Sequence, residues 1–286
     1  MTILVTGGAG FVGTNLVKRL LKEGHRVISV DNYSSSTRDN HQEGCHYLTS
    51  DVRNKHFVWA PKEKVDVIYH LAAMSRIQPS ITDPTYAIKN NCIGTLNVLE
   101  WARKVGAKVI YAGSSSKHHG LYESPYAWSK YTGEELCMLY RYVYKVDTTV
   151  CRFYNVYGPH QIEEGDYATV VGIFLNQYRN GKELTIVGDG EQRRDFTHVD
   201  DIVDGLYRCK SLEWQKMEIF ELGSGKNYSI NEVADMFGKY PRKYIPARPG
   251  EYPYTLCEEL DRNWRKLGWR PTGNLEKYIS NERMPF

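Results

Sequence analysis

A glycine-rich turn set between a strand and a helix constrains this chain more than any other feature. Residues 6–13 read Thr-Gly-Gly-Ala-Gly-Phe-Val-Gly. They follow the apolar run Ile3-Leu4-Val5 and lead into residues 11–23, whose period sets Leu16, Leu20 and Leu21 on one side of a helix. Gly7, Gly10 and Gly13 each meet a physical need. The first permits a tight turn, the second lets backbone approach a pyrophosphate, and the third lets helix close on strand, while the helix N-terminus attracts phosphate charge. A second strand, Val27-Ile28-Ser29-Val30, ends on Asp31, 18 residues beyond Gly13, where a carboxylate can bond a ribose 2′-OH. The same carboxylate would repel a 2′-phosphate, so the unit favours NAD over NADP, with Arg38 the nearby cation that opposes this reading. A capping glycine loop with an unrelated acid is the competing explanation.

The alternation continues. Residues 65–71, 108–112 and 148–153 read as strands, separated by helical segments at 88–104 and 126–145. That order predicts an α/β protein with a Rossmann-type doubly wound parallel sheet and helices on both faces. Beyond residue 155 the pattern loosens into short strands at 184–187 and 219–222, and helices near 171–179, 199–210, 229–238 and 256–267. The reading is a dinucleotide-binding domain over 1–155 and a smaller substrate-binding lobe over 156–286, some of whose elements cross back to the sheet.

Composition narrows the function classes. With 37 Lys+Arg against 34 Asp+Glu the formal charge is +3, and no four basic residues run together, so a nucleic-acid partner is not expected. No apolar stretch nears the ~20 residues of a membrane span, and residues 1–5 enter a strand without the flanks of a secretory leader. The six cysteines form no CxxC pair or Cys/His cluster, which predicts no metal site and reduced thiols, as in the cytoplasm.

The chemistry-bearing residues come next. Tyr126-Ala127-Trp128-Ser129-Lys130 sets a phenol and an ammonium four residues apart on one helix face. A nearby Lys⁺ draws a phenol pKa down from about 10 towards neutrality, making a general base for a sugar or alcohol hydroxyl. Upstream, Tyr111-Ala112-Gly113-Ser114-Ser115-Ser116 leaves hydroxyls at the carboxyl edge of the sheet, where ligands bind in such folds. A surface Tyr/Lys pair is the bland alternative.

Taken in order, these residues resemble the extended short-chain dehydrogenase/reductase family, in its nucleotide-sugar epimerase/dehydratase branch. The likeness covers nearly the whole chain. It rests on the motif at 6–13, Asp51-Val52, His70-Leu71-Ala72-Ala73, Asn91–Thr95, Tyr126–Lys130, Arg152–Pro159, Gly188–Gly190, Arg194–Phe196, Val199–Asp201, Arg248–Gly250 and Leu267–Trp269. The resemblance implies bound NAD, with Phe11, Val12, Asp31, Asn32, Asp51, Val52, Leu71, Ala72, Ala73 and Asn91 along it, Lys130 on the nicotinamide ribose, and Tyr154 and Val156 beside the nicotinamide. It implies Tyr126, Lys130 and Ser115 as catalytic residues. Ser115, Ser116, Asn155, Arg194 and Arg248 would hold a nucleotide-sugar, with a UDP-sugar the leading expectation; arginine's planar fork suits phosphate oxygens.

Within that branch, 4,6-dehydratases carry Asp-Glu after the catalytic hydroxyl, and decarboxylases a Glu at the second following position. Here those places hold Ser116 and Lys117. What remains is 4-epimerisation of a UDP-hexose or UDP-uronate through a transient 4-keto sugar. A decarboxylase, 4,6-dehydratase or 4-keto reductase is the runner-up, and a non-catalytic dinucleotide-binding protein the third reading. Two departures stand out: His118-His119-Gly120 replaces the usual Val-Tyr-Gly, and Tyr126 follows Ser115 by only 11 positions. The short segment implies a more open pocket or an unusual hexose substituent, with His118 and His119 as candidates for sugar contact. Relatives are commonly homodimers through the helices here at 88–104 and 126–145.

Overall fold

The computed structural model describes residues 1–55, 61, 64–118, 120–212 and 218–283. Seven parallel strands form its main sheet: β1 (Thr2–Thr6), β2 (Arg26–Asp31), β3 (Cys45–Thr49), β4 (Val67–His70), β5 (Lys108–Ser114), β6 (Thr148–Phe153) and β7 (Glu218–Leu222). Their spatial order is β3-β2-β1-β4-β5-β6-β7. The order reverses between β1 and β4, and the carboxyl ends there open the crevice in which doubly wound folds bind ligands.

Strand alternation feeds two apolar layers. On one face Ile3 and Val5 of β1, with Val67 and Tyr69 of β4, pack against Leu16, Val17 and Leu20 of α1 (Phe11–Lys22). On the other face Leu4 and Ile68 meet Val98, Leu99 and Trp101, which lie on a later helix, together with Cys137 and Tyr140. Between β4 and that helix come α2 (Ile77–Thr82) and α3 (Pro84–Ile88). The helix expected over 88–104 is present: α3 runs without a break through a π-helical turn at Lys89–Ile93 into α4 (Gly94–Val105). α5 (Pro125–Tyr144) starts one residue before its expected limit because Ser124 caps it, accepting the Ala127 N–H at 3.2 Å, with Pro125 at the first helical position.

The later residues return to the sheet further than the boundary at 155 implies. After α6 (Val170–Arg179), α7 (Val199–Cys209) lays Ile202, Val203 and Leu206 into the same core as α1. β7 pairs in parallel with β6 through five residues, Glu218 against Thr149 to Leu222 against Phe153. Trp269 seals that core and donates its indole N–H to the Asp201 carbonyl at 2.8 Å. A second, smaller core gathers Phe174, Leu175, Leu184, Ile186, Val233, Phe237 and Ile279. The helix expected from 256 starts only at Leu260, since the Cys257 N–H is bound to the Asp195 carboxylate at 2.9 Å and holds that stretch open. No described helix is long and apolar enough to cross a membrane.

Candidate active site

The glycine turn is pressed between its neighbours. Gly7 has φ +72°, a left-handed backbone that favours glycine, and a Cβ there would stand 2.9 Å from the Ala72 nitrogen. A Cβ on Gly13 would collide with the Gly7 carbonyl oxygen. Backbone from β1, α1 and the exit of β4 therefore converges with no side chain between, a cradle that fits a dinucleotide pyrophosphate. Asp31 stands at its far end with its carboxylate fixed: Oδ2 accepts the Ala9 N–H at 3.0 Å, and Oδ1 accepts the Tyr33 N–H at 2.8 Å and the Ser36 hydroxyl at 2.9 Å. Arg38 is turned away, its guanidinium over the Tyr33 ring and bonded to Thr49.

From this cradle a cavity of about 760 Å³ runs over the sheet's carboxyl edge to residues of the later half. Its wall includes Gly7, Gly10, Phe11, Val12, Asp31 and Asn32 at the turn, and Val52, Leu71, Ala72 and Ala73 behind it. Further along stand Ser115, Ser116, Tyr126, Lys130, Asn155 and Val156, then Arg194 and Arg248 from the later half.

Three expected residues fall outside that wall. Asp51 is bound by Arg53 and receives the Asn32 amide at 2.9 Å; burial pushes its carboxyl up, but those hydrogen bonds outweigh burial and hold it at about 2. It orders Asn32 instead of lining the groove. Asn91 is buried with its amide closed on the Met74 backbone (2.8 and 3.0 Å) and the Ser129 hydroxyl (2.9 Å), which fixes the chain after β4 to α5. Tyr154 points away, its hydroxyl donating to Glu221 Oε2 at 3.0 Å, and Phe153 takes the place at the wall. Glu221, on β7, also accounts for His118, whose Nε2 lies 2.8 Å from Glu221 Oε1, beside the Arg152 guanidinium. His118 does not line the cavity, and His119 lies outside the described residues.

At the centre, Tyr126 and Lys130 share one face of α5. The Tyr126 hydroxyl donates to Ser114 Oγ at 3.2 Å, so the serine it meets is the last residue of β5 and not Ser115, which begins the following turn. Lys130 is 4% exposed, with Nζ 4.4 Å from the Tyr111 ring centroid. Burial draws the Lys130 ammonium down to about 8, against the pull of Glu134. The expected neutral-range phenolate is not met here: burial raises Tyr126 above the ordinary phenol value, while the Ser114 bond and the Arg76 charge act the other way. Arg76, which the sequence reading passed over, is part of the wall.

Across the cavity, Arg194 is paired with Glu251 at 3.1 Å, and Asn155 Nδ2 donates to the Asp195 carbonyl at 2.9 Å. Arg248 is exposed at the mouth. Arginines in the wall of a groove suit the phosphate oxygens of a ligand lying along it.

The chain is 32% identical over 305 residues to the UDP-glucose 4-epimerase of Mycolicibacterium smegmatis, covering 98% of this chain and 96% of that one. It is 31% identical over 293 residues to UDP-glucuronic acid decarboxylase 4 of Arabidopsis thaliana, covering 95% of this chain and 65% of that protein. Among solved structures, UDP-glucose 4-epimerase of Thermotoga maritima with UDP-glucose superposes with a TM-score of 0.89 at 31% identity, covering 98% and 96% of the two chains. The sequence model of the NAD dependent epimerase/dehydratase family matches residues 3–223, and the chain belongs to that family.

Proposed function

We propose that this chain is an NAD-dependent 4-epimerase of a UDP-linked sugar, acting through a transient 4-keto sugar. The observation that carries the reading is the Tyr126–Ser114 hydrogen bond, with Lys130 on the same helix face, in the groove that also holds the glycine cradle and Asp31. Where elimination or decarboxylation needs carboxylates, Ser116 offers a hydroxyl, and Lys117 places its ammonium over the Tyr131 ring.

Tyr126, once deprotonated, takes the proton of the C4 hydroxyl and later returns it. Ser114 and Ser115 hold the same oxygen. Lys130 lends positive charge to the phenolate and holds a ribose hydroxyl of the cofactor. Gly7, Gly10, Phe11, Val12 and the α1 N-terminus hold the pyrophosphate, Asp31 and Asn32 the adenosine ribose, and Val52 with Leu71–Ala73 the remaining wall. Asn155, Arg194 and Arg248 hold the sugar nucleotide's diphosphate. NAD, when bound, would supply the oxidation at C4 and the re-reduction of the keto sugar.

The reading includes a homodimer and the cytoplasm. Ile88, Ile93, Trp128, Leu139 and Val143 leave an apolar face exposed on the paired helices α3–α5, and all six cysteines are free thiols.

The test is incubation of the purified protein with UDP-glucose, UDP-GlcNAc and UDP-glucuronate, followed by separation of the sugar nucleotides. A C4 epimer formed without net NAD consumption is the expected result; loss of CO₂ or of water selects the decarboxylase or dehydratase instead.

A further inference from the structure

We propose that Arg76 makes this site selective for an acidic sugar, its guanidinium receiving the carboxylate of a nucleotide-linked hexuronate. The inference rests on the nucleotide-sugar reading above and names the substrate class within it.

Arg76 is a part-buried cation in the cavity wall. Its Nε donates to the Tyr167 carbonyl at 2.8 Å and its Nη1 to the Ser75 carbonyl at 3.1 Å, which fixes the plane of the guanidinium. Arginine has five N–H donors, so the rest of the fork is left for a ligand. Among the described residues no carboxylate forms an ion pair with it. Other buried arginines are compensated: Arg194 by Glu251, Arg141 by Asp147, Arg152 by Glu134 and Glu221. A desolvated cation without a counter-ion is costly, and such groups face functional cavities.

Its position selects the ligand group. Arg76 immediately precedes α2, which is tied to the catalytic helix by Ser80 Oγ accepting the Tyr126 N–H at 3.1 Å. Gln78 binds the same helix to the Pro249 carbonyl at 2.8 Å. The Arg76 charge thus shares the cavity wall with Tyr126 and acts on its phenol, whereas the diphosphate is assigned above to Arg194 and Arg248. A neutral hexose gives this extra cation nothing to pair with; a C5 carboxylate does, in the planar geometry guanidinium favours. Its field also favours the Tyr126 phenolate.

The test is calorimetric binding of UDP-glucuronate, UDP-glucuronamide and UDP-glucose to the NAD-loaded protein. The acid should bind at least ~10-fold more tightly than its neutral amide and than UDP-glucose, as a charge-assisted pair gives. In Arg76→Gln the preference should collapse to ~1, and in Arg76→Lys it should survive in part. Equal binding of acid and amide by the natural chain overturns the proposal with no variant needed, and so does a preference unmoved in Arg76→Gln. Product separation on the same samples tests the parent reading independently: acid preference without C4 epimer sinks the epimerase and leaves the acid site standing. Failure to bind any of the three overturns both.

Discussion

The Tyr126 hydroxyl donates to Ser114 Oγ at 3.2 Å, joining the first turn of α5 to the last residue of β5. Removing the phenol oxygen by Tyr126→Phe should cut turnover at least ~100-fold, the low end of a general-base contribution. Ser114→Ala should cost more in kcat than Ser115→Ala, read as initial rates of C4-epimer formation on folded variants. The reverse order would return the role to Ser115.

Lys130 should show a trade of stability for function. Its ammonium is buried and its pKa is lowered to about 8 from the usual 10.5. Below pH 8 the folded chain carries a charge it disfavours; as pH rises from 8 to 10.5 the unfolded chain also loses that proton and the penalty fades. Lys130→Met should therefore abolish turnover yet melt at least ~2 °C higher near pH 7, with the gap closing towards pH 10.5. A lower melting temperature at pH 7 would contradict this.

Asp31 should set the choice of coenzyme. Asp31→Asn keeps an acceptor for the Ala9 N–H but loses the charge, so NAD affinity should fall about 10-fold and the preference over NADP should shrink. Fluorescence titration with both coenzymes reads this directly.

Leu139 stands 49% exposed on the apolar face of α5. Leu139→Glu should convert a dimer to a monomer in sedimentation. A natural chain that already sediments as a monomer ends the dimer proposal.

What could be read from residue order was whatever local chemistry decides. The glycine turn, Asp31, and the Tyr126–Lys130 pair on one helix face depend on neighbours within a few positions, and the structure brings them to one groove. The misplaced residues depend on partners far along the chain. Tyr154 and His118 are both drawn off by Glu221, 67 and 103 positions away, on a strand whose pairing no local pattern reveals. Asn91 closes on Met74 and Ser129, so its buried amide serves the fold. Ser114 was hidden by being one of three consecutive serines; only the end of β5 distinguishes it. Arg76 belongs to no local pattern; what singles it out is that, among the described residues, no carboxylate forms an ion pair with it.

The seat of β7 beside β6 bears on how the polypeptide can be dissected. A fragment stopped at residue 155 would bare the whole hydrogen-bonding rim of β6 and strip α7 from α1, inviting edge-to-edge aggregation. Swapping the later half between relatives to graft a new specificity would tear out part of the nucleotide-binding scaffold with it. Useful chimeras would have to exchange loops such as 160–169 and 246–256 and leave the sheet whole.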